Sequence, residues 1–265
     1  MAKEYRRNHV LSESLLKRFQ DEKGNIIRHD ISRVKDNHTK PGLEGFRRDM
    51  WTRTSAKTME ELWNQQAEND ILAVFEKIDQ RKTITRKDLG VLARFSAIHF
   101  VRSNEFIKLY EYIRQQKADA QDGDPRLGFV GTYIVRLELL KNTKIPSGFF
   151  EQVITEYYHK SAAHLMKYGV EIGVATGANE FILPDGGLLI ADVEGGKYQP
   201  SGGVALLEAK QAVLPLSPKL ILAFNVKVKR ITYKELNDSH VANVNLKLLK
   251  GCHRSYYRKP VSLGA

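Results

Sequence analysis

Pro184-Asp185 is followed, after 22 intervening residues, by Glu208-Ala209-Lys210. Two carboxylates and a lysine in this order have the form of the PD-(D/E)xK nuclease motif. Glu208 and Lys210 are two apart, so on a strand they project from the same side. Asp185 would then stand at the end of a neighbouring strand. Asp185 and Glu208 could hold Mg²⁺ through hard oxygen ligands, which makes Mg²⁺ the cofactor this motif calls for. Lys210 could orient a water and steady the charge that develops on phosphate. The plainer alternative is an exposed strand face carrying a Glu and a Lys, with Pro184-Asp185-Gly186-Gly187 as a turn. The motif is short and loosely spaced, so the residues alone leave both open.

The second chemical signal is charge. Lys and Arg total 42 against 31 Asp and Glu, a formal +11. Basic residues recur as Arg6-Arg7, Lys17-Arg18, Arg47-Arg48, Arg81-Lys82, Lys227, Lys229-Arg230 and Arg258-Lys259. Aromatics lie close by, among them Trp51, Tyr233, Tyr256 and Tyr257. Lys and Arg neutralise backbone phosphates and release counterions, while aromatic rings offer stacking faces to unpaired bases. Arg47, Arg48, Lys229, Arg230, Tyr256 and Tyr257 are the candidates for such a surface. The pattern suits RNA or single-stranded DNA, RNA favoured, because no helix-turn-helix or zinc finger is evident. The competing reading is a non-enzymatic interaction or sensor module whose basic surface recruits an acidic partner.

Other chemistries find little support. The eight histidines include no HExxH pair, and His159 and His164 are five apart, off the spacing for a shared metal on a helix. There is no GxGxxG, Walker A or GxSxG motif. The single Cys252 cannot form an internal bridge, which fits a reducing compartment. Charged residues fill the space of a signal-peptide core, and no window approaches the ~18 apolar residues of a spanning helix. A cytoplasmic location without membrane contact is the expectation. At 42% hydrophobic and 28% charged, the composition is globular.

Elements must position these residues. Leu11, Leu15, Leu16 and Phe19 have helical spacing, and Ile26 to His29 read as a short strand, giving an N-terminal unit over 5–30. Residues 32–54 are polar and basic and read as a long loop. Thr58-Met59-Glu60-Glu61 is a capping box. Leu62, Ile71, Leu72, Phe75 and Ile78 follow it at helical period. A second helix is expected from near Thr85 through Val101, extending towards Ile113. Two more helical patterns cover Phe129 to Leu140 and Pro146 to Met166. After Lys167 the period changes to two. Val170 to Val174, Phe181 to Leu183, Leu188 to Ile190, Val204 to Leu207 and Leu220 to Phe224 read as strands. Residues 233–250 return to helix, and Ser255-Tyr256-Tyr257 form a last strand. Helices followed by strands, without βαβ alternation, predict an α+β chain. We expect one domain over 1–265, with the helical part 55–166 on a mainly antiparallel sheet from 167–258 and the N-terminal unit tucked between them.

The stretch from His9 to Phe19 resembles the opening motif of a bacterial family known as domain of unknown function 4238. That motif is roughly His-Tyr-Val-Pro, two residues, Tyr-Leu, a basic residue and Phe. His9, Leu16, Lys17 and Phe19 match, while Val10, Leu11, Ser12 and Leu15 depart from it. Arg102-Ser103-Asn104-Glu105-Phe106 is similar to the family's Arg-Thr-Pro-x-Phe. Phe181-Ile182-Leu183-Pro184-Asp185 stands where the family has Phe-Ile-Thr-Ser-Asp-Asn-Pro-Val, with Gly186 and Gly187 replacing Asn-Pro. Pro215 to Pro218 resembles a Pro-Leu-Ser-Pro segment, and Asn243 or Asn245 before Tyr256-Tyr257 fits the closing motif. The resemblance brings no reaction with it. It implies a shared site of His9, Arg102, Asp185 and an Asn of the last helix. Those groups could act as general base, phosphate clamp and orienting carboxylate. They could equally form a buried network that holds the N-terminal unit in place.

Overall fold

The computed structural model describes residues 7–48, 67–103, 149–191, 198–199, 206 and 210–260. In chain order its elements are β1 (Arg7–His9), α1 (Glu13–Lys17), β2 (Ile26–Asp30), β3 (Lys35–Thr39), β4 (Phe46–Arg48), α2 (Ile71–Asp79), α3 (Arg86–Val101), α4 (Phe149–Leu165), β5 (Gly169–Ala175), β6 (Leu183–Pro184), β7 (Leu189–Ala191), β8 (Tyr198–Gln199), β9 (Gln211–Ser217), β10 (Leu220–Asn225), β11 (Ile231–Leu236), α5 (Asp238–Lys250) and β12 (Ser255–Arg258). The class is α+β, as the order of patterns predicts.

The largest sheet has the order β11-β5-β10-β9-β7-β8 and is antiparallel except where β11 runs parallel to β5. Its central strands are apolar on both sides. Val170, Ile172, Leu214, Leu222 and Phe224 join one core with Phe75, Phe95 and Ile98 of the helices and Leu15 and Phe19 of the N-terminal unit. The alternate residues Val213 and Ile221 join a second core with Val241 and Leu248 of α5. Period-two alternation thus sends neighbouring residues into opposite cores, and strands covered on both faces read as continuous apolar runs.

Caps hold the helices in place. Thr85 begins α3 with a capping box: its hydroxyl accepts the Asp88 N–H, and Asp88 accepts the Thr85 N–H at 2.9 Å. Burial opposes the charge on Asp88. The Lys77 ammonium, 2.7 Å away, and the Thr85 donors outweigh it and hold the carboxyl below its ordinary range. The expected capping box at Thr58 and the helical patterns from 104 to 148 lie outside the described residues.

Arg18 fastens the N-terminal unit. Its Nε donates to the Leu216 carbonyl of β9 at 2.7 Å, and its two terminal nitrogens donate to Asp79 of α2 at 2.9 and 2.6 Å. The guanidinium also lies over Phe75, 4.4 Å from the ring centre. A residue of the basic pattern is therefore a structural bolt.

Two sequence boundaries need correction. Residues 32–48 are not a loop. Strand β3 pairs with β2 as a hairpin, residues 41–43 form a 3₁₀ turn, and β4 pairs with β1. The strand Lys35-Asp36-Asn37-His38-Thr39 contains no apolar residue, so it shows no hydrophobic alternation. Residues 233–236 are not helix but the end of β11. The helix begins only after Asn237, whose side chain accepts the His240 N–H. The strand β9, which holds the Pro-Leu-Ser-Pro segment, went unread because Pro215 argues against a strand interior. A bulge at that place accommodates it.

A second sheet has the order β3-β2-β12-β6. Here the N-terminal hairpin pairs with the last strand of the chain, so both ends build one surface.

Candidate functional site

Asp185 follows β6 at a turn closed by the Gly187 N–H donating to the Pro184 carbonyl at 2.9 Å. Its carboxylate accepts three backbone amides at the start of β12. His253 donates to one oxygen at 2.7 Å, and Arg254 and Ser255 donate to the other at 2.8 and 3.0 Å. The Asp185 N–H donates in turn to the Ser255 carbonyl. This is an anion held in a nest of peptide donors, a strong charge-assisted arrangement. It fixes where β12 enters the sheet.

The structure does not bring Asp185 and Lys210 together as the nuclease motif needs. Lys210 stands at the start of β9, where its carbonyl accepts the Val226 N–H. In register, neighbouring Gln211 faces Ala191. Asp185 lies six residues before Ala191, beyond the Gly187 turn and against the other sheet. Glu208 lies outside the described residues. Among the described residues, no three His, Cys, Asp or Glu side chains converge as a metal site.

The motif set marks a junction. Gly187 has φ +67, and an added Cβ would lie 2.9 Å from Leu11 and 3.3 Å from His99. His99 is buried in α3. Its Nδ1–H donates to the Phe95 carbonyl at 2.7 Å, and its Nε2 accepts the Ser12 N–H at 3.3 Å. A carbonyl can only accept and an amide N–H can only donate, so both partners require the neutral ring. Burial first, and then the Arg102 charge, lower its pKa to about 4. Arg102 is itself wholly buried at the C-terminus of α3. His9 closes β1 opposite Phe46 in register. Asn245 of α5 accepts the Ile182 N–H and donates to the Glu180 carbonyl, pinning the strand that leads to Asp185. His99 and Ser12 escaped the sequence reading because a histidine within an apolar helical pattern carries no local sign of its partner.

A cleft of about 420 Å³ opens on the sheet face beside Asp185. Arg28 and Asp30 of β2, Ser255 and Tyr257 of β12, and the segment from Glu44 to Phe46 line it. Arg28 donates to Glu44 at 3.3 Å. Burial and the nearby Glu44 and Asp185 charges push the Tyr257 hydroxyl well above its usual range. Only 4% of Tyr257 is exposed, so its ring offers no open stacking face, which separates it from Tyr256 as a candidate nucleic-acid contact. Strand alternation explains the split, since adjacent residues point to opposite faces. Tyr256 lies on the other face, stacked on His29 with ring centres 4.7 Å apart. Next to it, Asp36 bonds His29 at 2.9 Å and Arg258 at 2.6 Å. The His29 bond, opposed by burial and aided by Arg258, holds Asp36 below the usual carboxylate range.

The basic residues gather elsewhere. The turn after β10 is bonded to the segment after α4, with the Gly169 N–H on the Val228 carbonyl and the Val170 N–H on the Arg230 carbonyl. Lys210 joins the same end through Val226. Lys167, Lys227, Lys229 and Arg230 are exposed there, and none forms an ion pair among the described residues. Lys167 was not singled out in the sequence, because only the fold sets it beside the 226–230 turn. Arg47 and Arg48 belong to β4, where the register sets them opposite Asn8 and Arg7.

No curated protein and no solved structure matches this chain. A family model described as protein of unknown function (DUF4238) matches residues 7–262, and the chain belongs to that family.

Proposed function

We propose that this protein binds single-stranded nucleic acid, with RNA the favoured ligand, through the basic end of the six-stranded sheet. The observation that carries the reading is the gathering of Lys167, Lys227, Lys229 and Arg230 from two chain segments without acidic partners among the described residues. Like charges kept together repel one another, and a polyanion relieves that repulsion. Four cations on phosphates give a logarithmic salt slope near −3, at about 0.7 per phosphate for single strands. Tyr256, half-buried and stacked on His29, is a further stacking candidate.

Fluorescence anisotropy with labelled RNA, single-stranded DNA and duplex, read over a range of salt, tests the proposal. The expected result is salt-sensitive binding of single strands, RNA tightest. Replacing Lys229 and Arg230 by Ala should reduce the slope by about 1.4. Absence of binding to all three ligands overturns it and leaves the basic end as a face for an acidic protein. Running the same samples with Mg²⁺, Mn²⁺ or EDTA reads cleavage directly.

A further inference from the structure

The cleft beside Asp185 has a different chemical balance from the basic end, and none of the basic-end residues lines it. Its three acids are occupied within the fold. Asp185 holds three amides, Glu44 holds Arg28, and Asp30 accepts the Ser32 hydroxyl at 2.8 Å and the Arg33 N–H at 3.1 Å. The donors are not occupied to the same degree. Arg28 Nε is buried and has no hydrogen-bond partner among the described residues. Arg33 and Arg254 are exposed at the rim and form no ion pair among the described residues. The three acids and three arginines of the lining balance in charge, so what the cleft has left to offer is hydrogen-bond donation from guanidinium groups.

We propose that this cleft binds a small phosphomonoester. Arg33 and Arg254 would grip the phosphate, with Arg28 Nε as a further donor, since guanidinium groups match tetrahedral oxyanions in paired bonds. Two guanidinium groups outside any ion pair among the described residues fit a dianion better than a monocarboxylate. Val10, Leu43 and Phe46 form an apolar wall for the organic body. The volume of about 420 Å³ suits one small molecule and not a polymer. Arg28 Nε is a donor that no described group uses, and a bound oxyanion would accept from it.

Isothermal titration of the full chain tests this with inorganic phosphate, ribose 5-phosphate, adenosine 5′-monophosphate and, as a monocarboxylate control, benzoate. The expected result is saturable one-to-one binding of at least one phosphomonoester, with benzoate weaker by about tenfold or more. Arg254→Gln and Arg33→Gln should each weaken it by about tenfold. Both side chains are exposed, so the unfolding temperature of each variant should match the parent and rule out misfolding. Lys229→Ala with Arg230→Ala should leave this binding unchanged. Failure of every phosphomonoester to bind overturns the proposal. So does binding that survives both arginine variants. Binding lost with Lys229 and Arg230 instead would place the anion on the basic end, overturning the cleft assignment while leaving the nucleic-acid proposal intact.

Discussion

Asp185 accepts three backbone amides where β12 enters the smaller sheet, whereas Lys227, Lys229 and Arg230 project from the far turn of the larger sheet with no acidic partner among the described residues. Both are charged groups that a sequence marks as chemically able. The fold has already satisfied one of them with its own peptide groups, while the others still lack a counter-charge. Residue type says what chemistry is possible. Which possibilities remain open depends on what each group's neighbours have taken up.

The first way to break this comparison is Asp185→Ala. Three amides would lose a charged acceptor, and stability should fall by about 3–4 kcal/mol in a denaturant titration. A loss under about 1 kcal/mol would show that water replaces the carboxylate at no cost and that its role is not structural. Somewhat smaller is the effect of pH at His99. The folded chain keeps the ring neutral down to about pH 4, whereas the unfolded ring binds its proton near 6.5. The unfolded state therefore holds the extra proton between those values. Stability contributed here is complete above about pH 6.5 and declines as pH drops towards 4, by about 3 kcal/mol at 25 °C. His99→Gln, which retains an acceptor for the Ser12 N–H, should flatten that slope. An unchanged slope would assign the pH dependence to other groups.

Arg18→Met should cost about 1–2 kcal/mol, because the stem still packs but the Leu216 carbonyl and Asp79 lose their donors. It separates a bolted cation from the exposed ones. Lys229→Ala with Arg230→Ala should move stability least, within about 0.5 kcal/mol, because nothing in the fold depends on those side chains. Calorimetric unfolding of both variants checks the contrast.

How much of this could be read in the sequence depended on how local the cause was. The helix start near Thr85, the apolar spacing of Leu15, Leu16 and Phe19, and the strand at Leu220 to Phe224 all have causes within a few residues, and each stands where its pattern put it. The hairpin strand β3 was invisible because its residues are all polar, and its pairing with β2 alone reveals it. The division of Tyr256 from Tyr257 needed the direction of one strand relative to its sheet. Asp185 stood out in the sequence as a carboxylate able to do chemistry, but the three amides it accepts are about seventy residues away and left no local sign. Lys167 could be joined to Lys229 only through backbone bonds between distant turns.

One paired measurement bears most directly on the contrast between the two regions. Stability and RNA binding would be recorded side by side for Asp185→Asn and for Lys229→Ala with Arg230→Ala. The expected result is a crossover: the aspartate variant loses stability yet, while folded, binds RNA like the parent, and the basic-end variant keeps its stability yet binds more weakly with a shallower salt slope. The contradicting result is an Asp185→Asn protein of unchanged stability that no longer binds or cleaves RNA, beside a basic-end variant that binds as well as the parent.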